Sequence, residues 1–261
     1  MTCRLCKNNR LEFFYSLGNQ NQFKYYKCEN CGLVNLDLDG LEIINHQFQY
    51  TDRFVLPEEP KYERGAKQAY RFIKKYVPLK GTYLDIGCGN GGVLYFAQKD
   101  GWIVKGLELS PKWAEFVNKR LNIKVIIADF LKYDNPEGEK FDLVSLRHVL
   151  EHLPDSILAM NKISDLLKEG GYVHFEFPNI LGVTHILKRF LKNTGIHETR
   201  YDPGWKPGHC NEFSRKAFNY LLKVTGFKLI KWETYSFKSF ENFIYNHIKA
   251  GAKVRAIVKK N

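Results

Sequence analysis

The segment Leu84-Asp85-Ile86-Gly87-Cys88-Gly89-Asn90-Gly91-Gly92 constrains this chain more than any other. An apolar run from Thr82 to Ile86 breaks into a turn with glycine at alternate positions, and a helical pattern, Val93 to Lys99, follows. That reads as strand, tight turn and helix. Glycine there removes Cβ and permits positive φ, so a bound molecule can approach bare backbone. The next apolar run, Trp102 to Leu107, ends at Glu108. A carboxylate at that place can accept both hydroxyls of a ribose. For the glycines alone, an ordinary nucleotide-fold turn, such as one for NAD, is the competing reading.

Strand-like runs then alternate with helical patterns. Strands are expected at 82–86, 102–107, 123–127, 141–146, 172–177, 227–235 and 252–259, and helices at 91–99, 111–121, 155–168 and 214–225. Such alternation implies an α/β fold: a doubly wound, mostly parallel sheet with helices on both faces. Ser110-Pro111 reads as a helix start with a serine cap, and Ser214 can cap the helix that runs to Thr225. Tyr62, Ala66, Ala69, Phe72, Ile73 and Tyr76 recur at helical spacing, so a helix is expected over 61–76, stopped by Pro78 and Gly81.

Six blocks occur in order: Asp85-x-Gly87-x-Gly89-x-Gly91, Gly106-Leu107-Glu108-Leu109-Ser110, Ala128-Asp129-Phe130, Phe141-Asp142-Leu143-Val144, His148-Val149-Leu150-Glu151-His152-Leu153 and Leu167-Lys168-Glu169-Gly170-Gly171. Together they resemble the class I S-adenosylmethionine-dependent methyltransferases over residues 62–261. The resemblance implies a Rossmann-like, seven-stranded sheet whose last strand, here 252–259, runs antiparallel between the fifth and sixth. It implies S-adenosylmethionine as cofactor. Gly87, Gly89 and Gly91 would lie against its methionine part, with Asp85 at the head of the turn. Glu108 would hold the ribose and Asp129 the adenine amine. Cys88, Leu109, Phe130 and Arg147 flank these blocks and complete the expected cofactor neighbourhood. Cys88 also reads as a small residue that fits the turn, and Arg147 as a partner for an acceptor phosphate or carboxylate, or as a solvated cation. Taken singly, Glu108 and Asp129 also read as solvated strand ends.

Cys3-x-x-Cys6 and Cys28-x-x-Cys31-Gly32 are two knuckles of metal-ligand spacing. Four thiolates can surround Zn²⁺ tetrahedrally, and each two-residue gap lets a pair turn back onto one ion. A zinc ribbon is expected over residues 1–40, with strands at 11–15 and 23–27. A unit of about forty residues holds too little core without its metal. A closed four-Cys site is structural rather than catalytic. Two redox pairs are the alternative, but those accompany a βαβ pattern that is missing here. Cys88 and Cys210 are expected to be free thiols. Residues 41–61 form a connector, packed on the catalytic domain through Phe48, Tyr50 and Phe54.

The net charge of +12 suits an acidic partner, although lysines on a solvated surface explain it equally. No apolar run approaches the ~20 residues that span a bilayer. The N-terminus lacks a signal-peptide hydrophobic stretch, so a cytoplasmic setting is expected.

Methyl transfer to a hydroxyl needs a base beyond the carboxyl ends of the strands. His148, Glu151 and His152 follow the fourth strand, and His209 follows the fifth. Gly208-His209-Cys210-Asn211-Glu212-Phe213-Ser214 resembles a segment of sugar C- and O-methyltransferases in which a histidine precedes a Phe-Ser pair. By that resemblance His209 is the expected general base. Some relatives carry Glu immediately before the histidine; here Gly208 stands there, so that source of carboxylate help is missing. A helix-capping loop histidine is the alternative. The His148 and Glu151-His152 block recurs in the family beside the cofactor pocket. Pro178 to Phe213 is a long insertion with an amphipathic pattern: Ile180, Leu181, Val183, Ile186, Leu187, Phe190 and Leu191, with Lys188, Arg189 and Lys192. It is expected to be a lid that closes with Tyr50 over cofactor and acceptor. A plain docked helix and a membrane-surface helix are the alternatives.

A four-Cys ribbon joined to this domain is similar to methyltransferases of bacterial surface-polysaccharide pathways. That implies a small, anionic acceptor: a nucleotide-linked sugar, a glycan or a phosphate-bearing glycan decoration. An RNA base methyltransferase is the second reading, against which no Asn-Pro-Pro-Tyr-type motif follows the fourth strand. A non-catalytic zinc scaffold that binds the cofactor is the third. Oxygen, nitrogen and carbon are all open as the methylated atom, and so is the oligomeric state.

Overall fold

The computed structural model describes residues 1–41, 60–193, 200–236 and 250–261. The connector residues Phe48, Tyr50 and Phe54 lie outside them, as does 194–199 of the insertion. Three strands open the chain: β1 (Leu11–Leu17), β2 (Phe23–Cys28) and β3 (Val34–Leu36). Helix α1 (Pro60–Tyr76) leads to β4 (Thr82–Ile86), α2 (Gly92–Lys99), β5 (Ile103–Glu108), α3 (Pro111–Leu121) and β6 (Val125–Ile127). There follow β7 (Phe141–Arg147), α4 (Ser156–Leu166), β8 (Leu167–Pro178), α5 (Val183–Asn193), β9 (Asn211–Glu212), α6 (Arg215–Thr225), β10 (Phe227–Tyr235) and β11 (Lys253–Lys260).

The central sheet has seven strands in the order β10-β11-β8-β7-β4-β5-β6. The strands β6, β5, β4, β7 and β8 pair in parallel, and β11 lies antiparallel between β8 and β10. This is the expected Rossmann-like methyltransferase fold. β4 sits at the middle, and Tyr83, Leu84, Asp85 and Ile86 are all buried, because helices cover both faces of the sheet. Ser110 caps α3 by accepting from the Trp113 amide, with Pro111 in the first turn. Ser214 caps α6 by accepting from the Ala217 amide at 3.2 Å. The boundary between α4 and β8 differs most from expectation. The helix ends at Leu166 and β8 begins at Leu167, so Leu167 and Lys168 belong to the strand instead of the helix, and the strand also takes in Glu169 to Gly171.

The N-terminal unit is more than an appendage. Its sheet has four strands, β1-β2-β3-β9, and the fourth comes from the late loop of the catalytic domain. Cys3, Leu5, Cys28, Cys31 and Leu33 share one buried cluster with Phe213, Ala217 and Phe218. Arg4 fastens the seam. Its backbone N–H donates to Asn35 Oδ1 at 3.0 Å; its guanidinium donates to the Leu36 carbonyl at 2.8 Å, to Asn211 Oδ1 at 3.0 Å and to the Cys210 carbonyl.

His174, on β8, is fully buried, and neither ring nitrogen has a hydrogen-bond partner. Phe72 lies 5.9 Å away between centroids, and Glu176 Oε1 is 3.9 Å from Nε2. Burial pushes its pKa down to about 4, with Glu176 opposing and Arg147 and Arg255 reinforcing. A histidine with a lowered folded pKa stabilises fully above its unfolded value near 6.5, and the contribution is lost as pH falls towards 4. The slope is worth about 3 kcal/mol. Asp85, raised to about 6 by burial, acts in the opposite sense over much of this window. His174→Leu is therefore expected to lose less stability than the parent between about pH 7.5 and about pH 4.5 in urea titrations. Equal losses in the two proteins would contradict it.

Candidate active site

The turn after β4 leaves the sheet at its carboxyl edge. The amides of Gly87 and Cys88 donate to the Leu107 carbonyl at 2.7 and 3.3 Å, which ties the turn to β5. Gly87, Gly89 and Gly91 have φ of +67°, +52° and +70°. A Cβ on Gly87 would lie 2.5 Å from Val149 Cγ2, whereas one on Gly89 would meet nothing within 4 Å. Gly89 thus presents open backbone. Glu108, 3% exposed, accepts from the Gly89 amide at 2.9 Å and the Ser110 amide at 3.0 Å. The carboxylate stands beside bare backbone, and this suits a nucleoside with a flexible, polar tail.

The other expected cofactor residues divide. Asp129 accepts from the Leu131 amide at 3.0 Å, and this fixes the short helical turn of the buried Phe130. Leu109 is half-buried beside Glu108. Asp85 points into the sheet, where the Ser145 hydroxyl donates to it. Cys88 is also turned inward: its sulfur lies 2.7 Å from where a Gly106 Cβ would stand. Cys88 therefore fills the turn, and burial holds its thiol well above the usual range. Arg147 Nε donates to buried Glu176 Oε2 at 2.8 Å, so a carboxylate of the chain itself occupies it. Burial opposes its charge, but Glu176 and Asp85 outweigh that and raise its pKa.

The residues expected to act on the acceptor lie after β7. His148 has φ +56°, a left-handed conformation that a histidine holds only under constraint. Its amide donates to the Glu176 carbonyl at 2.7 Å, and its ring Nδ1 lies 3.3 Å from Glu151 Oε1. The next residue, Val149, covers Gly87, so this segment borders the cofactor turn. Glu151 and His152 belong to a short 3₁₀ turn. The loop with His209 crosses it. The Gly208 carbonyl lies 2.8 Å from His152 Nδ1, the Cys210 amide donates to the Glu151 carbonyl at 3.0 Å, and Asn211 Nδ2 donates to the Leu153 carbonyl at 2.7 Å. The rings of His152 and His209 meet edge-on at 4.9 Å. All four expected catalytic residues, His148, Glu151, His152 and His209, thus meet at one place.

Glu212 was not anticipated. Its Oε1 is 3.7 Å from His209 Nδ1. Burial disfavours the His209 cation, yet Glu212 and Glu151 overcome it and raise the pKa. Burial likewise opposes the Glu151 anion, and His148, His152 and His209 outweigh it, so its pKa is lowered. The carboxylate missing at position 208 is supplied three residues after the histidine, where the spacing was visible in the sequence. Tyr15, whose phenol burial and Glu212 push upward, arrives from β1, and no local pattern signals that.

The four N-terminal thiols converge. Cys3 and Cys31 sulfurs are 3.5 Å apart, and Cys6 and Cys28 sulfurs 3.4 Å. Sulfurs bound tetrahedrally at ~2.3 Å from zinc stand about 3.8 Å apart, so the cluster fits that ion.

A family model described as a methyltransferase domain matches residues 60–231. The chain belongs to that family and is an S-adenosylmethionine-dependent methyltransferase. It is 31% identical over 214 residues to a ubiquinone biosynthesis O-methyltransferase of Pasteurella multocida, covering 65% of this chain and 86% of that one. It is 26% identical over 171 residues to an enzyme of the same name from Coxiella burnetii, covering 60% and 71%. The fold is similar to a SAM-dependent methyltransferase from Archaeoglobus fulgidus (TM-score 0.57, 18% identity, 76% and 94% covered). It is also similar to the magnesium protoporphyrin IX methyltransferase of Synechocystis with bound SAH (TM-score 0.56, 16% identity, 82% and 93% covered).

Proposed function

We propose that the protein methylates a hydroxyl oxygen of a small, anionic acceptor: a nucleotide-linked sugar, a glycan end or a phosphate-bearing glycan decoration in surface-polysaccharide biosynthesis. The observation that carries the hydroxyl reading is the meeting of Glu151, His152 and His209 beside the segment that covers the cofactor turn. The ribbon and the net charge of +12 support the anionic acceptor. In this reading Cys3, Cys6, Cys28 and Cys31 hold a structural zinc, and Glu108 and the Gly89 backbone hold the cofactor. When bound, S-adenosylmethionine supplies an electrophilic methyl on sulfonium and leaves as a neutral thioether. The chain's part is to align the hydroxyl, exclude water and remove its proton. His209, backed by Glu212, is assigned that last task, in the simplest form as general base. A cytoplasmic setting fits six cysteines none of which forms a disulfide. Among the described residues, no helix is long and apolar enough to cross a membrane.

The names of the curated relatives favour a second acceptor, an intermediate of ubiquinone biosynthesis. The exposed Ile186, Leu187 and Phe190 of α5 would suit an apolar tail on it. A transfer assay with labelled cofactor against nucleotide sugars, glycan fragments, ubiquinone precursors and total RNA separates these readings. Label on sugar or glycan supports the first; label on a ubiquinone precursor or RNA alone replaces it. His209→Ala is expected to slow turnover about 10²-fold. It should leave cofactor affinity within about twofold, so the loss falls on kcat. Unchanged turnover would remove His209 from the reaction.

A further inference from the structure

We propose that Glu151, His152 and His209 form a second metal site, which takes a divalent cation and holds the acceptor's oxygen on it. The candidate ligand atoms of the three residues all lie within 4.8 Å of one another. Ligands at ~2.1 Å from a cation stand about 3 to 3.6 Å apart, so a closure of about 1 Å completes the site.

Three independent details aim these side chains at a cation. Glu151 is 1% exposed, and its Oε2 is buried with no hydrogen-bond partner. A buried carboxylate oxygen without a donor is costly, and a cation would satisfy it. His152 Nδ1 lies 2.8 Å from the Gly208 carbonyl, so in the neutral ring Nδ1 carries the proton and Nε2 the lone pair. Glu212 Oε1 lies 3.7 Å from His209 Nδ1, close enough to favour a proton on that nitrogen and leave the lone pair on Nε2. A carbonyl or carboxylate behind one imidazole nitrogen is the arrangement that fixes the other as a metal donor. The two ligand-bearing segments are tied together through Cys210 and Asn211, so little ordering is left for binding.

Two imidazoles and one carboxylate form a nitrogen–oxygen set suited to Zn²⁺, Mn²⁺, Fe²⁺ or Co²⁺ rather than Ca²⁺. Three protein ligands leave positions open for two adjacent acceptor oxygens, a vicinal diol or a hydroxyl beside a phosphate. A cation there favours the ionised hydroxyl, whose proton is given up to water. His209 then acts as a ligand and not as a free base. The inference rests on reading this cluster as the acceptor side of a methyltransferase.

The test uses the full chain with its four-Cys cluster saturated with zinc. Mn²⁺ is titrated in and the free ion followed by electron paramagnetic resonance, with neither cofactor nor acceptor present. One further equivalent should bind to the parent, and Glu151→Gln and His209→Ala should each weaken it at least about tenfold. Circular dichroism melts confirm folding, and His152→Ala replaces any variant that fails to fold. No Mn²⁺ uptake by the parent, or equal uptake by parent and folded variants, overturns the site. Methylation that survives removal of this ion overturns its role while the methyltransferase reading stands. Mn²⁺ uptake lost in the variants upholds the site even if no tested acceptor is methylated.

Discussion

With the four thiols holding zinc as proposed, replacing Cys28 by serine is expected to empty that cluster and to lower methyl transfer about 100-fold, although Cys28 touches neither cofactor turn nor acceptor cluster. The reason is the shared sheet. β9 is the fourth strand of the ribbon, and it begins two residues after His209. Arg4, one residue after Cys3, holds the carbonyls of Leu36 and Cys210 and the Asn211 side chain; the Tyr25 hydroxyl donates to the His209 carbonyl at 3.0 Å. Structural zinc contributes roughly 10–16 kcal/mol of apparent binding energy, as much as the whole net stability of a domain, ~5–15 kcal/mol. Losing a ligand therefore unravels the knuckle that carries Arg4. The loop with His209 is then held from one side only. A misplacement of ~1 Å costs about 10²-fold in rate, as much as removing the His209 side chain. Cofactor affinity should change little, because the glycine turn belongs to the other sheet. Elemental analysis, single-turnover rates and calorimetry with the cofactor measure the three effects. Arg4→Gln, which keeps the thiols, should retain zinc and lose about tenfold in turnover. Full turnover in a zinc-free Cys28→Ser protein would refute the coupling.

That coupling marks the limit of what the sequence displays. The glycine turn, its flanking strands, the serine caps and the thiol knuckles are local patterns, with meaning contained in a few consecutive residues. The seam is not of that kind. β3 and β9 are three and two residues long, too short for periodicity, and they pair across most of the chain. Arg4 reads as one more cation in a chain with forty. Arg147 reads as open to a ligand until the fold brings Glu176 from the neighbouring strand against it. Asp85 and Cys88 stand in the turn's motif, but strand alternation and the small Gly106 draw both inward. His148, Glu151, His152 and His209 were visible because a short block and a single loop carry them. The contact of the Gly208 carbonyl with His152 was not, because the fold alone brings that loop across the block.

Glu108→Ala is expected to weaken binding of S-adenosylmethionine about 10²- to 10⁴-fold. The ribose hydroxyls lose a charged acceptor, worth about 1.5–3 kcal/mol per bond, and two such bonds, roughly 3–6 kcal/mol, correspond to that range of affinity. The amides of Gly89 and Ser110 also lose the carboxylate that satisfies them, but they lose it in the free protein as well, so that cost falls on stability. Glu108→Gln separates the two effects. It keeps one carbonyl oxygen for an amide but sets an NH₂ against the other donor, so an intermediate loss, about tenfold, is expected. Asp129→Ala makes a milder comparison: its side chain is a third exposed, and it caps a single turn. Calorimetry with the cofactor and with its thioether product measures all three variants. Affinity unchanged in a folded Glu108→Ala protein would move the cofactor away from the carboxyl end of β5 and with it every role assigned around the glycine turn.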